Sequence, residues 1–216
     1  NRIVFLGRVV EEKQIDKLVE ISGGIVGADD ATARVDRIEV PYTGQMATAI
    51  VGELKALFEF GAEDMRKELE RAGAPKTAEN IIEPERGLDF LRSRARAIAS
   101  ILAAKLKATF AMETLQQVKQ GVADPERLRT RLTDLSTREL EASARSSVSE
   151  AVNFGRQATA EDMEDEIEYA EYSCLLDANS CQECSDRDGQ QFQVGTAEYY
   201  LNRPPLTECA GGNQCR

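Results

Sequence analysis

The sequence of 216 residues contains no histidine. That absence removes the Ser-His-Asp and Cys-His nucleophiles, the HExxH metalloprotease helix and the histidine-dependent nuclease sites. A hydrolase or nuclease on this chain would have to work through carboxylates and a divalent cation, and no carboxylate cluster marks such a site. Long apolar runs are lacking too. None approaches the roughly 20 residues that cross a bilayer, and no basic start followed by an apolar stretch resembles a secretory signal. These absences predict a protein of an aqueous compartment. Basic residues are in the minority, with 27 Lys and Arg against 38 Asp and Glu, for a formal charge of -11. Counterion release from nucleic acid needs clustered Lys and Arg. A chain whose whole surface binds nucleic acid is thereby excluded, and a local basic face is left open. The sequence opens at Asn1 and stops one residue after a cysteine, which reads as part of a longer polypeptide.

With 42% hydrophobic and 30% charged residues, the chain has enough apolar side chains for one or two modest cores. Residues 1–43 read as a mixed N-terminal segment, with a short helix through Gln14–Ile21 and a break at Gly23-Gly24 and Gly27. Residues 44–165 read as a helical domain. Its first helix carries Ile50, Leu54, Leu57, Phe58, Gly61, Met65 and Leu69 on one face and ends at Gly73 and Pro75. Gly52 and Gly61 inside it each cost up to about 1 kcal/mol relative to alanine, which points to close packing, or else a kink, at those positions. A polar linker leads to a longer helix, Leu88–Gln120, roughly 50 Å long at 1.5 Å per residue. Its stripe is Leu91, Ala95, Ile98, Leu102, Leu106 and Phe110, and Gly121 stops it. Asp124-Pro125 starts the next helix as N-cap and first helical residue. Ser136-Thr137-Arg138-Glu139 has the form of a capping box and predicts a further helix start toward Gln157. The acidic run Glu161–Glu168 reads as a solvated face, with docking onto a basic partner as the other reading.

Residues 166–216 read as a small module of a different kind. Glu171–Asp177 predicts a strand, and Asp188-Gly189 predicts a hairpin turn with Gln191–Val194 alternating as a strand on its far side. Cys181 and Cys184 are spaced C-x-x-C, which aims two thiolates from one turn at a common metal. Cys209 and Cys215 can close the tetrahedron. A module of about fifty residues buries too little apolar surface to be stable alone, and a structural Zn2+ is a standard remedy. Three rivals stand beside this reading. A disulfide pair suits an oxidising compartment, a redox C-x-x-C needs a βαβ context and a helix starting at the first cysteine, and a zinc deaminase needs a catalytic Glu upstream of a P-C-x-x-C. No helix start is evident at Cys181. Cys174, on an apolar stretch, reads as a core thiol, and a cysteine beyond Arg216 is an alternative to Cys215. The expected fold class is mainly α: long amphipathic helices followed by a small zinc-stabilised α+β C-terminal module.

The stretch from Ala144 to Arg216 resembles the head morphogenesis domain of tailed bacteriophages, the minor capsid proteins named after the F protein of phage Mu. The resemblance rests on an ordered series. Ala144, Val148, Ala151 and Asn153-Phe154-Gly155-Arg156 are followed by Tyr172-Ser173, Leu176-Asp177, Cys181, Cys184, Asp188-Gly189, Phe192, Tyr199-Tyr200, Pro204-Pro205, Cys209 and Cys215-Arg216. Many members carry a His after the two prolines. Here Leu206-Thr207-Glu208 leads straight to Cys209, so a cysteine-only ligand set must serve. The resemblance implies a structural virion component without turnover. It implies several copies around the portal protein, inside the capsid, acting in head assembly or genome delivery, with no membrane partner and with the host cytoplasm as the place of assembly.

Two functional classes follow. In the first, an interaction protein, the helices pack against the portal or capsid interior. Arg92, Arg94, Arg96, Lys105 and Lys107, with Arg127, Arg129 and Arg131, are then the positions that packaged DNA or a partner would meet, or else ordinary solvated helix surface. The second is a zinc-containing nucleic-acid binder, or a metal-dependent nucleic-acid-processing enzyme in which Asp186, Asp188 or the Glu161–Glu168 run holds a catalytic cation.

Overall fold

The computed structural model describes residues 2–74, 84–163, 165–174, 180–202 and 206. The described chain is mainly helical. Helices α1 (Arg2–Gly23), α2 (Ala31–Asp36), α3 (Thr43–Arg71), α4 (Pro84–Gln120) and α5 (Pro125–Asp162) precede β1 (Tyr169–Glu171), α6 (Gln182–Arg187), β2 (Gln191–Gln193) and α7 (Ala197–Asn202). The chain divides into two compact units, residues 1–53 with 92–141 and residues 54–91 with 142–216. Each is built from two stretches of sequence, because α3, α4 and α5 each contribute a segment to both.

In the first unit, the 22-residue α1 replaces the short helix expected within a mixed segment. Its Ile15 and Leu18 are buried, while buried polar residues at Glu11 and Gln14 interrupt the apolar periodicity that would have revealed its length. Gln14 is satisfied in part by donating from Nε2 to the Pro41 carbonyl at 2.7 Å. The predicted stripe of α4 is buried at Ala95, Ile98, Leu102, Leu106 and Phe110 here, and its sixth member, Leu91, is buried as part of the second unit. Gly121 takes a left-handed φ of 66°. It ends α4 with two bonds, from its own N–H to the Val118 carbonyl and from the Val122 N–H to the Gln117 carbonyl, which together close the orphaned carbonyls of the last turn. Asp124 then caps α5 as expected, its Oδ1 accepting from the Arg127 N–H at 3.0 Å.

The capping-box expectation at Ser136 is overturned: α5 runs unbroken for 38 residues. Ser136 is 0% exposed within it. Its hydroxyl donates to Glu11 of α1 and to the Thr133 carbonyl one turn back, so the side chain that suggested a helix start serves a tertiary contact. Glu11 is 3% exposed, and its second carboxyl oxygen has no hydrogen-bond partner among the described residues. Burial raises its pKa above the usual 4.5, against the opposing pull of Ser136 and Arg8, with Glu12 adding to the rise.

In the second unit, the segment of α3 packs on that of α5 through two glycines. A Cβ at Gly61 would run into the Val152 backbone, and a Cβ at Gly155 into the backbones of Phe58 and Ala62. The neighbours of Gly155 complete the contact. Phe154 stacks on Phe90 with ring centroids 4.1 Å apart and tilts against Phe58 at 5.7 Å. Arg156 reaches α3 at Asp64 and, at 2.5 Å, at Glu68. Burial alone would weaken the Arg156 charge, but the bonds and charges of Glu68 and Asp64 outweigh it and raise its pKa. Gly61 thus has the packing role expected of it. Gly52 does not: it is exposed, and a Cβ there would meet no other part of the structure within 4 Å.

Gly52→Ala is therefore expected to stabilise the protein by about 0.5–1 kcal/mol. Gly61→Ala and Gly155→Ala are each expected to destabilise it by about 1–3 kcal/mol through overpacking, as read from urea unfolding. For Glu11, the neutral carboxyl is the form the fold favours. Its contribution is full below the unfolded pKa near 4.5 and is lost as pH rises through the raised folded value. Glu11→Gln should accordingly gain stability relative to wild type as pH increases above 4.5, and a constant difference across that range would contradict the assignment.

Candidate metal site

After Asp162 the chain leaves α5 and turns over the Met163 carbonyl, which accepts from Glu166 and Ile167. Asp165, Glu166 and Glu168 of the acidic run are exposed, in keeping with a solvated face. Strand β1 pairs antiparallel with β2, with Ala170 opposite Phe192. Both strands are three residues long, and β1 lies earlier than the strand expected at Glu171–Asp177, of which residues 175–177 lie outside the described residues. The pairing is extended by two bonds of 2.8 Å, from the Tyr172 N–H to the Gln190 carbonyl and from the Gly189 N–H to the Tyr172 carbonyl. Asp188-Gly189 is thus not the turn of a hairpin. It follows the C-terminus of α6 and hands the chain to β2, whose partner is β1. The turn signal was real, with Gly189 at φ 77°, but the element before it is a helical turn rather than a strand.

One small apolar cluster holds the module. Tyr172, Cys184, Phe192, Val194, Tyr199 and Leu206 are buried together, with Ile167, Ala170, Cys174 and Cys181 packed against them. Cys181 is the residue before the first turn of α6, and its carbonyl accepts from the Ser185 N–H at 3.0 Å. A helix does begin at the first cysteine, contrary to expectation, although it is six residues long and stands in no βαβ unit. Cys184 is 7% exposed, and the Tyr172 hydroxyl donates to its sulfur at 3.4 Å. Cys174 is half-buried against the same cluster, and its N–H donates to Asp188 Oδ1 at 2.8 Å. Arg187 ties α6 to α7, donating from Nε to Asn202 Oδ1 at 2.8 Å.

The structure brings Cys181 and Cys184 to one turn at the edge of this cluster. Their partners in the expected set, Cys209 and Cys215, lie outside the described residues, as do Pro204 and Pro205. Among the described residues no three His, Cys, Asp or Glu side chains gather to hold a metal. The donor chemistry of the C-x-x-C pair fits Zn2+ nonetheless: two thiols are presented from one turn, one of them buried and receiving a hydroxyl hydrogen bond of the kind that steadies a metal-bound thiolate.

The basic positions do not form one face. At 100° per residue, Arg96 and Lys105 stand about 180° apart on α4. Lys105 pairs with Glu139 at 2.6 Å, and Lys107 Nζ donates to the Asp36 carbonyl at 3.3 Å. On α5, Arg127 and Arg131 flank the buried Glu113 at 3.3 and 3.7 Å, and Arg129 pairs with Asp16 at 2.5 Å. Sequence reasoning missed the tertiary work of these side chains, because the acids that pair with them are far away in the chain. Compared with known proteins, the chain matches no family model, no curated protein and no solved structure.

Elemental analysis of the purified chain is expected to find one zinc per chain. Cys184→Ser should lose it and expose the amides of β1, α6 and β2 to hydrogen exchange, while Cys174→Ser should keep it. Metal-free protein with its thiols paired as disulfides would refute the site.

Proposed function

We propose that this chain is a structural, non-enzymatic head component of a tailed bacteriophage, placed inside the head near the portal and acting in assembly or genome delivery. In this reading one Zn2+ closes the C-terminal module. Cys181, Cys184, Cys209 and Cys215 would hold it, and when bound it supplies a cross-link that a cluster of six buried side chains needs for stability.

The observation that carries this reading is the use to which the motif residues are put. Phe154, Gly155 and Arg156 join α5 to α3 by ring contact with Phe58, close approach and ion pairing, and Phe154 also stacks on Phe90 of α4. Tyr172, Cys184, Phe192 and Tyr199 build the core of the small module. A series of residues spent on packing suits a scaffolding component. The carboxylates of the catalytic alternative are engaged in the same way: Asp188 anchors the Cys174 backbone, and Asp186 Oδ1 accepts from Gln182 Nε2 at 2.6 Å.

Two experiments separate the classes. Phage particles from the strain that encodes the chain are expected to contain it in few copies by quantitative mass spectrometry, and particles without it would sink the head-protein reading. Incubated with DNA and Mg2+ or Mn2+, the purified chain should leave the DNA intact. Cleavage abolished by Asp186→Asn or Asp188→Asn would establish the enzymatic alternative instead.

A further inference from the structure

Helices α1 and α5 of the first unit line a cavity of about 310 Å³. Arg8, Glu11, Glu12 and Ile15 face it from α1, and Arg129, Thr133 and Thr137 from α5. Spacings of three and four put each set on one helical face, and the α5 set spans about 12 Å.

The charges of this lining do not balance. Glu11 is buried. Its Oε1 takes the Ser136 hydroxyl, which leaves Oε2 shut away from water and without a hydrogen-bond partner. Neither arginine of the lining answers it. Arg129 is committed to Asp16 at 2.5 Å, and Arg8 pairs with Glu141 at 3.7 Å, easing the Glu11 charge only from a distance. Glu12 makes no ion pair among the described residues. Once the two arginines are set against Asp16 and Glu141, two carboxyl groups of the lining lack a counter-ion.

We propose that this cavity binds a small primary amine, its ammonium donating to Glu11 Oε2 and its carbon chain lying along Ile15. The ammonium supplies hydrogen-bond donors and positive charge together, and the Thr133 and Thr137 hydroxyls offer acceptors for its remaining N–H groups. Other ligand classes fit less well. An anion would meet the two unopposed carboxylates. A divalent cation of the Mg2+ or Ca2+ kind takes about six or more oxygen ligands, and among the described residues no three His, Cys, Asp or Glu side chains gather to hold one. A neutral hydroxyl satisfies the hydrogen bond but leaves a buried charge uncompensated. The volume lies at the lower end of the range of small-ligand sites. Entry does not require the helices to part, because Arg8, Glu12 and Thr133 are exposed and exposed side chains change rotamer within nanoseconds. The inference is independent of the zinc module and of the kind of particle.

Binding is coupled to a proton. Burial, with a contribution from Glu12, raises the Glu11 pKa above 4.5 against the pull of Ser136 and Arg8. The ammonium pairs with the ionised form, so a neutral Glu11 must first release its proton. Affinity therefore climbs with pH up to the folded pKa and then levels off. The amine itself, with a pKa near the roughly 10.4 of lysine, stays charged throughout.

The probes are n-butylamine, n-butanol and butanoate, each titrated into the full chain and followed by amide chemical shifts. Butylamine is expected to move the amides around Glu11 and Thr133 and to bind at least about ten-fold more tightly than butanol, a difference of about 1.4 kcal/mol, with butanoate not binding. Its affinity should rise with pH above 4.5 before it levels. Glu11→Gln should abolish both the preference over butanol and the pH dependence, and the unfolding midpoint checks that this variant folds. Glu12→Gln, at an exposed position, should weaken the amine by a smaller factor and leave the pH dependence in place. Equal binding of amine and alcohol, tighter binding of butanoate, or amine binding indifferent to Glu11→Gln would each overturn the proposal.

Discussion

Two glycines, Gly61 on α3 and Gly155 on α5, let a pair of backbones approach so closely that neither position has room for a β-carbon. The second unit depends on that contact. Close backbone approach leaves the flanking side chains to fix direction and register. Phe154 wedges against Phe58 and Phe90 on one side, and Arg156 reaches Asp64 and Glu68 on the other. Since α5 runs on to Asp162 and delivers the chain to β1, the same contact sets where the C-terminal module begins. Packing of this kind is unforgiving of added volume, because protein interiors are filled to crystal-like density.

Much of the helical frame was legible in the sequence, and the reasons are local. The stripe of α4 repeats at steps of three and four without interruption, and Asp124-Pro125 and Gly121 carry their signals within a few residues. What misled the reading was long-range. Ser136 has the local form of a helix cap, but its partner Glu11 is 125 residues away, and no local rule reveals a buried carboxyl waiting for a hydroxyl. Glu11 and Gln14 hid α1 for the same reason, by placing polar side chains where periodicity demands apolar ones. The strand partner of β2 is β1 rather than its sequence neighbour, because the six residues of α6 lie where the first arm of a hairpin was expected.

The candidate site was legible in part. The C-x-x-C spacing predicts a shared turn, and Cys181 and Cys184 do share one, at the start of α6 and against a common cluster. Cys209 and Cys215 fall outside the described residues, so half of the expected ligand set rests on sequence alone. The Tyr172 hydroxyl on the Cys184 sulfur could not have been read from spacing, because it depends on how the β1–β2 pairing carries Tyr172 over α6. The cluster beneath is small, and burial of six side chains offsets little of the conformational entropy that ordering such a module costs. In the proposed reading a metal cross-link between its two ends would supply the rest.

The central claim is that this cross-link is a metal held by thiolates. X-ray absorption at the zinc edge of the purified chain tests it most directly. Four sulfur neighbours at about 2.3 Å are the result expected for Cys181, Cys184, Cys209 and Cys215. A first shell of nitrogen and oxygen atoms, or no zinc edge at all, would contradict it.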